Sequence, residues 1–198
     1  MRRLLIATHN PGKLKEFRAL LAPLGFAAIS AGEAGLAEPA ETGESFAGNA
    51  RLKARAAARA ANMPALADDS GISVAALGNG PGIYSARYAA GDYPAAFARI
   101  IAACLAGQEW RARFTCALCL ARPNGSTATY LGQADGEIAP APRGGQGFGY
   151  DPIFIPLGHA GTFAELSAAE KDRISHRARA FAQLASVLGA GALVEGAA

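Results

Sequence analysis

The chain has 198 residues, 51% hydrophobic, 18% charged and 8% aromatic, with 24 Gly and 11 Pro. That length supports one core, or two lobes sharing a cleft, and leaves no room for a string of independent modules. Nineteen Lys and Arg against 16 Asp and Glu leave a net charge of +3, too small an excess to argue for nucleic-acid binding.

The opening stretch to Thr8 has two cations, Arg2 and Arg3, but only a very short apolar run before His9, which is expected to be too short for a signal peptide. Arg3 to Thr8 reads as a strand that stops at His9, Asn10 and Pro11. Lys13 to Leu21 then follows as a helix with Leu14, Phe17, Leu20 and Leu21 on one side. Phe26 to Ser30 returns as a second strand, and Glu38 to Glu44 is an acidic loop. Ser45 caps a long, Ala-dense helix, Phe46 to Asn62, which Pro64 ends. The longest Ala-rich stretch, Ala54 to Ala61, carries Arg55 and Arg59, so no membrane span is expected and the reading is a cytoplasmic protein.

Ala65 to Ala67 is a short apolar run leading into Asp68-Asp69-Ser70-Gly71, after which Ile72, Val74 and Leu77 resume before a turn at Gly78 to Gly82. Pro94 to Leu105 reads as a helix with Pro at its start. Trp110 to Leu120 and Thr127 to Gln133 form a hairpin around Pro123-Asn124-Gly125. Gly144 to Gly149 is a Gly-rich loop, Ile153 to Ile155 a short strand, and Ser167 to Leu188 a final helix with Phe181, Leu184 and Leu188 as its stripe. Cys104, Cys116 and Cys119 make an odd count, and strand positions three apart face opposite sides, so buried reduced thiols are expected. The element order is α/β with a mixed sheet.

Four constellations carry chemistry. Thr8-His9-Asn10-Pro11-Gly12-Lys13 lies where a strand hands over to a helix, so backbone N–H groups, a hydroxyl, an amide and a Lys converge on a place an anion favours. It lacks Walker-loop spacing, and a plain turn with Lys13 in solvent has the same composition. Asp68 and Asp69, with Glu41 and Glu44 upstream, offer oxygen ligands suited to Mg²⁺, although Asp-Asp-Ser-Gly is also favourable for an exposed turn. Gly147-Phe148-Gly149-Tyr150-Asp151 lets backbone approach a flat ligand while Phe148 offers a stacking face. Lys171 with Ser175-His176-Arg177 supplies donors for carbonyl or phosphate oxygens, or else is a solvated helix face.

In this order, these segments resemble the inosine triphosphate pyrophosphatase family, the Ham1-like nonstandard purine nucleoside triphosphatases. The resemblance runs from Leu5 to about Leu188 and includes Ala7 to Lys13, Glu41-Thr42-Gly43, Asn49 to Ala54, Ala67 to Gly71, Pro81 to Tyr88, Gly147 to Phe154 and Ser175-His176-Arg177. It implies an elongated mixed β-sheet flanked by helices, with two lobes and a central nucleotide cleft, in one pyrophosphatase domain spanning residues 1–198. It also implies a homodimer that uses Mg²⁺ to hydrolyse ITP, dITP and XTP to the monophosphate and pyrophosphate, with no nucleic-acid or membrane partner.

Carried onto this sequence, the resemblance has Thr8, His9, Asn10, Pro11, Gly12 and Lys13 holding the triphosphate, with Lys53 reaching the same phosphates. Asp69 is the general base, and Glu41, Asp69 and Asp68 hold Mg²⁺. Ser70 contacts the nucleotide, Phe148 stacks on the base, and Gly149, Tyr150, Asp151, Lys171, His176 and Arg177 line the base pocket. Donors from Lys171, His176 and Arg177 would accept a 6-carbonyl and repel the amino group of adenine. Residue 9 is His where relatives often have a small residue, and Ala40 precedes Glu41 where many carry two acids. A pyrophosphatase for modified pyrimidines or standard triphosphates, and a non-catalytic nucleotide- or RNA-binding module, are the rival readings.

Overall fold

The computed structural model describes residues 2–189. Strand β1 (Arg2–Ile6) is followed by helix α1 (Pro11–Leu21), whose first residue is Pro, where the missing N–H costs nothing. A short 3₁₀ turn ends at Gly25, whose positive φ of 74° reverses the chain into β2 (Phe26–Ser30). Strand β2 lies parallel to β1, with Arg2 opposite Phe26 and Ile6 opposite Ser30. Helix α2 (Phe46–Ala61) is capped by Ser45, whose hydroxyl accepts from Gly48 N at 3.1 Å, and it closes at Asn62 in the left-handed region.

The next elements are β3 (Ala65–Val74), the short helix α3 (Ser85–Ala89), α4 (Tyr93–Gly107), β4 (Arg111–Ala121), β5 (Thr127–Ile138) and β6 (Phe154–Pro156). Two helices, α5 (Ala168–Ile174) and α6 (His176–Gly189), complete the described chain. The six strands form one mixed sheet in the order β2-β1-β3-β4-β5-β6, parallel where β1 meets β2 and β3, antiparallel where β5 meets β6. Flanked by helices, it is the expected α/β architecture.

Two boundaries differ from the sequence reading in ways that matter for the site. The segment Asp68 to Gly71 is not a turn between apolar runs but the middle of β3, and Asp68 and Asp69 are both buried. A carboxylate stays inside a sheet only where cations compensate its charge, and those cations come from distant elements that local turn propensity does not register. The expected single helix Ser167 to Leu188 is broken at Ser175, which adopts extended backbone while its N–H closes α5 onto Lys171 O at 2.9 Å. Two smaller shifts are that β5 runs on to Ile138, and that residues Asp151–Ile153 coil into a 3₁₀ turn so that the last strand begins at Phe154.

The chain divides into two compact units. The first comprises the N-terminal segment through Asp69, Ala117–Gly132 and the C-terminal segment from Arg177. Its α2 face is nearly all Ala (Ala50, Ala54, Ala57, Ala58) and packs with Leu5, Ala65, Ala67, Ala117 and Cys119. Small side chains on both surfaces set helix and sheet close together, so that longer side chains on the same helix reach the strands. The second unit comprises Ser70–Cys116 and Gln133–His176. Its core is aromatic, with Phe114, Phe154 and Phe163 in mutual ring contact at 4.7, 6.0 and 5.0 Å between centroids. Cys104, Cys116 and Cys119 are buried and none is in a disulfide, as expected. Among the described residues no helix is long and apolar enough to cross a membrane.

Gly136 on β5 tolerates no side chain. A Cβ there would overlap the Ile155 carbonyl and sit 2.7 Å from the Phe154 ring, on the paired strand β6. Gly136→Ala is therefore expected to destabilise the protein by about 2 kcal/mol, lowering Tm by roughly 4–8 °C in a thermal melt.

Candidate active site

The turn after β1 is built by its own side chains. Asn10 Oδ1 accepts from Gly12 N at 2.9 Å and Lys13 N at 3.1 Å, and Thr8 Oγ1 accepts from Asn10 N at 3.1 Å. The Leu14 N–H goes to Asn10 O. The amides that the sequence reading offered to an anion are thus occupied within the turn. What remains for a phosphate is the positive end of α1 and the Lys13 ammonium. Pro11 and Gly12 shape the turn, and His9 is turned to the far side, its Nε2 2.9 Å from Leu36 O.

Asp68 and Asp69 are adjacent on β3 and held by different cations. Asp68 pairs with Lys13 through Oδ1 and with Arg177 Nε through Oδ2, the latter at 3.2 Å. The Arg177 guanidinium is also paired with Glu16 on α1. Asp69 Oδ1 takes the Lys53 ammonium at 3.1 Å and Oδ2 the Asn49 amide at 3.2 Å, both from α2 at a four-residue spacing. Lys53 Nζ also lies 2.6 Å from Glu41 Oε1. Asn49 Oδ1 in turn accepts from Gly43 N at 2.8 Å, so α2 pins the acidic loop at two points.

Four carboxylates thus meet three cations, and the excess of negative charge shows in how the groups hold protons. Burial pushes the Asp69 carboxyl up and the Glu41 charge adds to it; Lys53 and Lys13 offset this only in part. Burial pulls Lys53 down, yet the charge of Asp69 and the hydrogen bond to Glu41 reverse the sense, and its ammonium is held above its usual value. Both groups are thus shifted toward their protonated forms, Asp69 chiefly by burial and Lys53 by the carboxylates around it. No cluster of three or more Asp, Glu, His or Cys gathers as a metal cage among the described residues. The pair Glu41 and Asp69, already sharing one cation, is the donor set that fits a hard divalent ion completed by phosphate oxygens and water. Asp68 is the third carboxylate, and it becomes a ligand only by releasing Lys13 or Arg177.

The second unit holds the aromatic constellation. Asp151 Oδ2 accepts from Phe148 N at 2.8 Å and from Lys171 Nζ at 2.6 Å, and the Lys171 ammonium lies 4.8 Å from the Phe148 ring centroid. The loop bends this tightly because Gly147 and Gly149 take positive φ of 74° and 64°. Tyr150 is buried and its hydroxyl donates to Ser85 O at 2.7 Å, while Ser85 Oγ accepts from Ile72 N at 2.9 Å. Burial pushes the Tyr150 phenol up, so it stays a donor. His176 is buried flat against Phe114, ring centroids 4.6 Å apart. Ser70 follows Asp69 on β3 and is partly exposed.

A family model described as the Ham1 family matches residues 4–187. This chain belongs to the Ham1 family. A relative from Rhodopseudomonas palustris, named dITP/XTP pyrophosphatase, is 53% identical over 96% of this chain and 97% of its own length. One from Rhodospirillum centenum with the same name is 54% identical over 91% and 92%. Among solved structures, a HAM1 protein from Coxiella burnetii superposes with a TM-score of 0.85 at 40% identity, covering 95% of this chain and 98% of that one. The Staphylococcus aureus Ham1 protein does so with a TM-score of 0.84 at 36% identity, covering 96% and all of its own chain.

The family's motif residues fall into two constellations. Thr8, Asn10, Lys13, Glu41, Lys53, Asp68 and Asp69 gather in the first unit; Phe148, Gly149, Tyr150, Asp151, Lys171 and His176 gather in the second. Arg177, grouped with Lys171 and His176 on sequence, carries its guanidinium to Asp68 and Glu16 instead. Three residues with no assigned role complete the arrangement: Glu16, Asn49 and Ser85. Asn49 had a signal in its spacing of four from Lys53 on one helix, whereas Glu16 had none.

Proposed function

We propose that this chain is a nucleoside triphosphate pyrophosphatase that hydrolyses dITP, XTP and ITP to the monophosphate and pyrophosphate. The observation that carries the reading is Asp69, a buried carboxylate with a raised proton affinity, set between Lys53 and Asn49 and beside Glu41, in a chain half identical to relatives named for this activity.

The chemistry needs charge balance more than covalent participation. Water attacks the α-phosphorus in line, and Asp69 orients it and takes its proton. Lys13 leaves Asp68 for the phosphate chain, Asp68 keeping Arg177, and Lys53 neutralises the departing pyrophosphate. Glu41 and Asp69 would hold Mg²⁺, which supplies charge neutralisation at the phosphate oxygens. Base reading falls to Phe148 as the stacking face and to Lys171 and His176 as donors for a 6-carbonyl; Arg177, committed to two carboxylates, acts by holding Asp68. On this reading residues 1–198 act as a single domain, cytoplasmic and homodimeric.

The test is pyrophosphate release from ITP, XTP, dITP, GTP, ATP and dTTP, with Mg²⁺ and with chelator. Mg²⁺-dependent turnover of dITP and XTP, about a hundredfold faster than ATP and abolished by chelator, is the expected result. Turnover of dTTP or ATP at the dITP rate would overturn the purine-carbonyl reading. Gly147→Ala probes the base side alone, because its Cβ would overlap Asp151 Oδ2 at a positive φ. Its expected effect is a KM for dITP raised about tenfold, equivalent to roughly one hydrogen bond to a charged group, with kcat changed much less.

A further inference from the structure

His9 takes no part in the phosphate chemistry above. Its Nε2 lies 2.9 Å from Leu36 O, and because a carbonyl only accepts, that nitrogen carries a proton and donates. Nδ1 lies 3.7 Å from Glu38 Oε2. The ring therefore joins the turn Thr8 to Lys13 to a segment that leads, three residues beyond Glu38, to Glu41.

That segment is fixed at both ends. Upstream, Ser30 and Glu33 bond each other reciprocally at 2.8 and 3.0 Å, and Leu36 N closes onto Ala31 O at 2.9 Å. Downstream, Gly43 N is held by Asn49. Between these ends, His9 Nε2 reaches Leu36 O and Lys53 Nζ reaches Glu41 Oε1. Beside it lies a cavity of about 200 Å³ lined by Ala7, Ala31, Ala57 and Ala60, with His9 and Lys53 in its wall. Leu36 packs on the Ala-rich core, whereas Ala37, Glu38 and Pro39 border the cavity and gain fewer dispersion contacts there, so the polar ties help to set their position. When Lys53 turns to pyrophosphate, the tie from His9 is left unchanged.

We propose that His9 is a positioning residue: it fastens the loop bearing Glu41 to the turn that meets the triphosphate, so that gripping phosphate and presenting Glu41 to a cation become one event. The significance of Glu41 rests on the pyrophosphatase reading, whereas the fastening stands on the hydrogen bond itself. The experiment compares wild type, His9→Ala and His9→Gln, the last keeping an N–H for Leu36 O. In hydrogen exchange without ligand, amides of residues 37–43 exchange about tenfold faster in His9→Ala and return toward wild type in His9→Gln. In dITP hydrolysis, His9→Ala raises the half-saturating free Mg²⁺ about tenfold, a larger factor than its loss of kcat, and His9→Gln recovers most of it. Unchanged exchange in His9→Ala, no recovery in His9→Gln, or a raised dITP KM with unaltered Mg²⁺ dependence overturns the proposal. A wild-type protein that turns over neither dITP nor XTP overturns the functional reading instead, and the exchange measurement still decides the fastening.

Discussion

Asp69→Asn is expected to lower kcat for dITP by about a thousandfold while leaving the fold in place. The substitution keeps the shape of the side chain and removes the proton acceptor. Stability should survive for a reason visible in the site: burial and the neighbouring Glu41 already push the Asp69 carboxyl toward its protonated form, so the folded state is not relying on a charge at this position. Lys53 does not become an orphan either, because Glu41 Oε1 remains 2.6 Å away. A melt of the variant should fall within roughly 4 °C of wild type, about 1 kcal/mol for a chain of this length. Steady-state rates under saturating Mg²⁺ and dITP give the decisive number. A variant retaining a tenth or more of wild-type kcat rules out Asp69 as the base and leaves positioning of water by other groups.

The contrast between Asp69 and Asp68 also shows what a sequence makes legible. Local information placed β1, α1, β2, α2, α4 and the β4–β5 hairpin close to where they lie, because apolar spacing, Ser45, Pro94 and the turn at Pro123 to Gly125 act within a few residues. It also drew attention to Asp68-Asp69, but could not separate a buried pair from an exposed turn. What decides that is Lys13, 55 positions upstream, and Arg177, whose bond to Asp68 spans 109 residues. The same long range sets the partners of Arg177: it is one residue from His176 in sequence, with Ser175 breaking the helix just before them, yet its guanidinium pairs with Glu16 and Asp68. At the first turn, Asn10 was legible as part of an anion site, yet its capping bonds to Gly12 and Lys13 use the very amides that made the site attractive. Sequence reports which groups are available, and only tertiary pairing reports which are already engaged.

Lys53→Met tests the remaining element of the reading, the carboxylate pair that would hold a cation. Lys53 is buried, its ammonium lies between Glu41 Oε1 and Asp69 Oδ1 at 2.6 and 3.1 Å, and its proton is held above the usual value. Methionine fills a similar volume without the charge, and so leaves two carboxylates facing each other. Removing one partner from a buried ion pair costs about 3–5 kcal/mol, which predicts a Tm lower by roughly 10 °C in chelator, and kcat should fall with it because pyrophosphate loses a neutralising group. The informative part is the response to Mg²⁺. A ligand stabilises the folded state in proportion to its occupancy, and in wild type a divalent ion must share the carboxylates with the ammonium. In the variant it has them alone. Titrating Mg²⁺ into both proteins without nucleotide should therefore raise the melting temperature of Lys53→Met more than that of wild type, while its turnover stays low. Equal Mg²⁺ shifts in the two proteins would remove Glu41 and Asp69 as the metal pair and leave Lys53 as a purely structural counterion to Asp69.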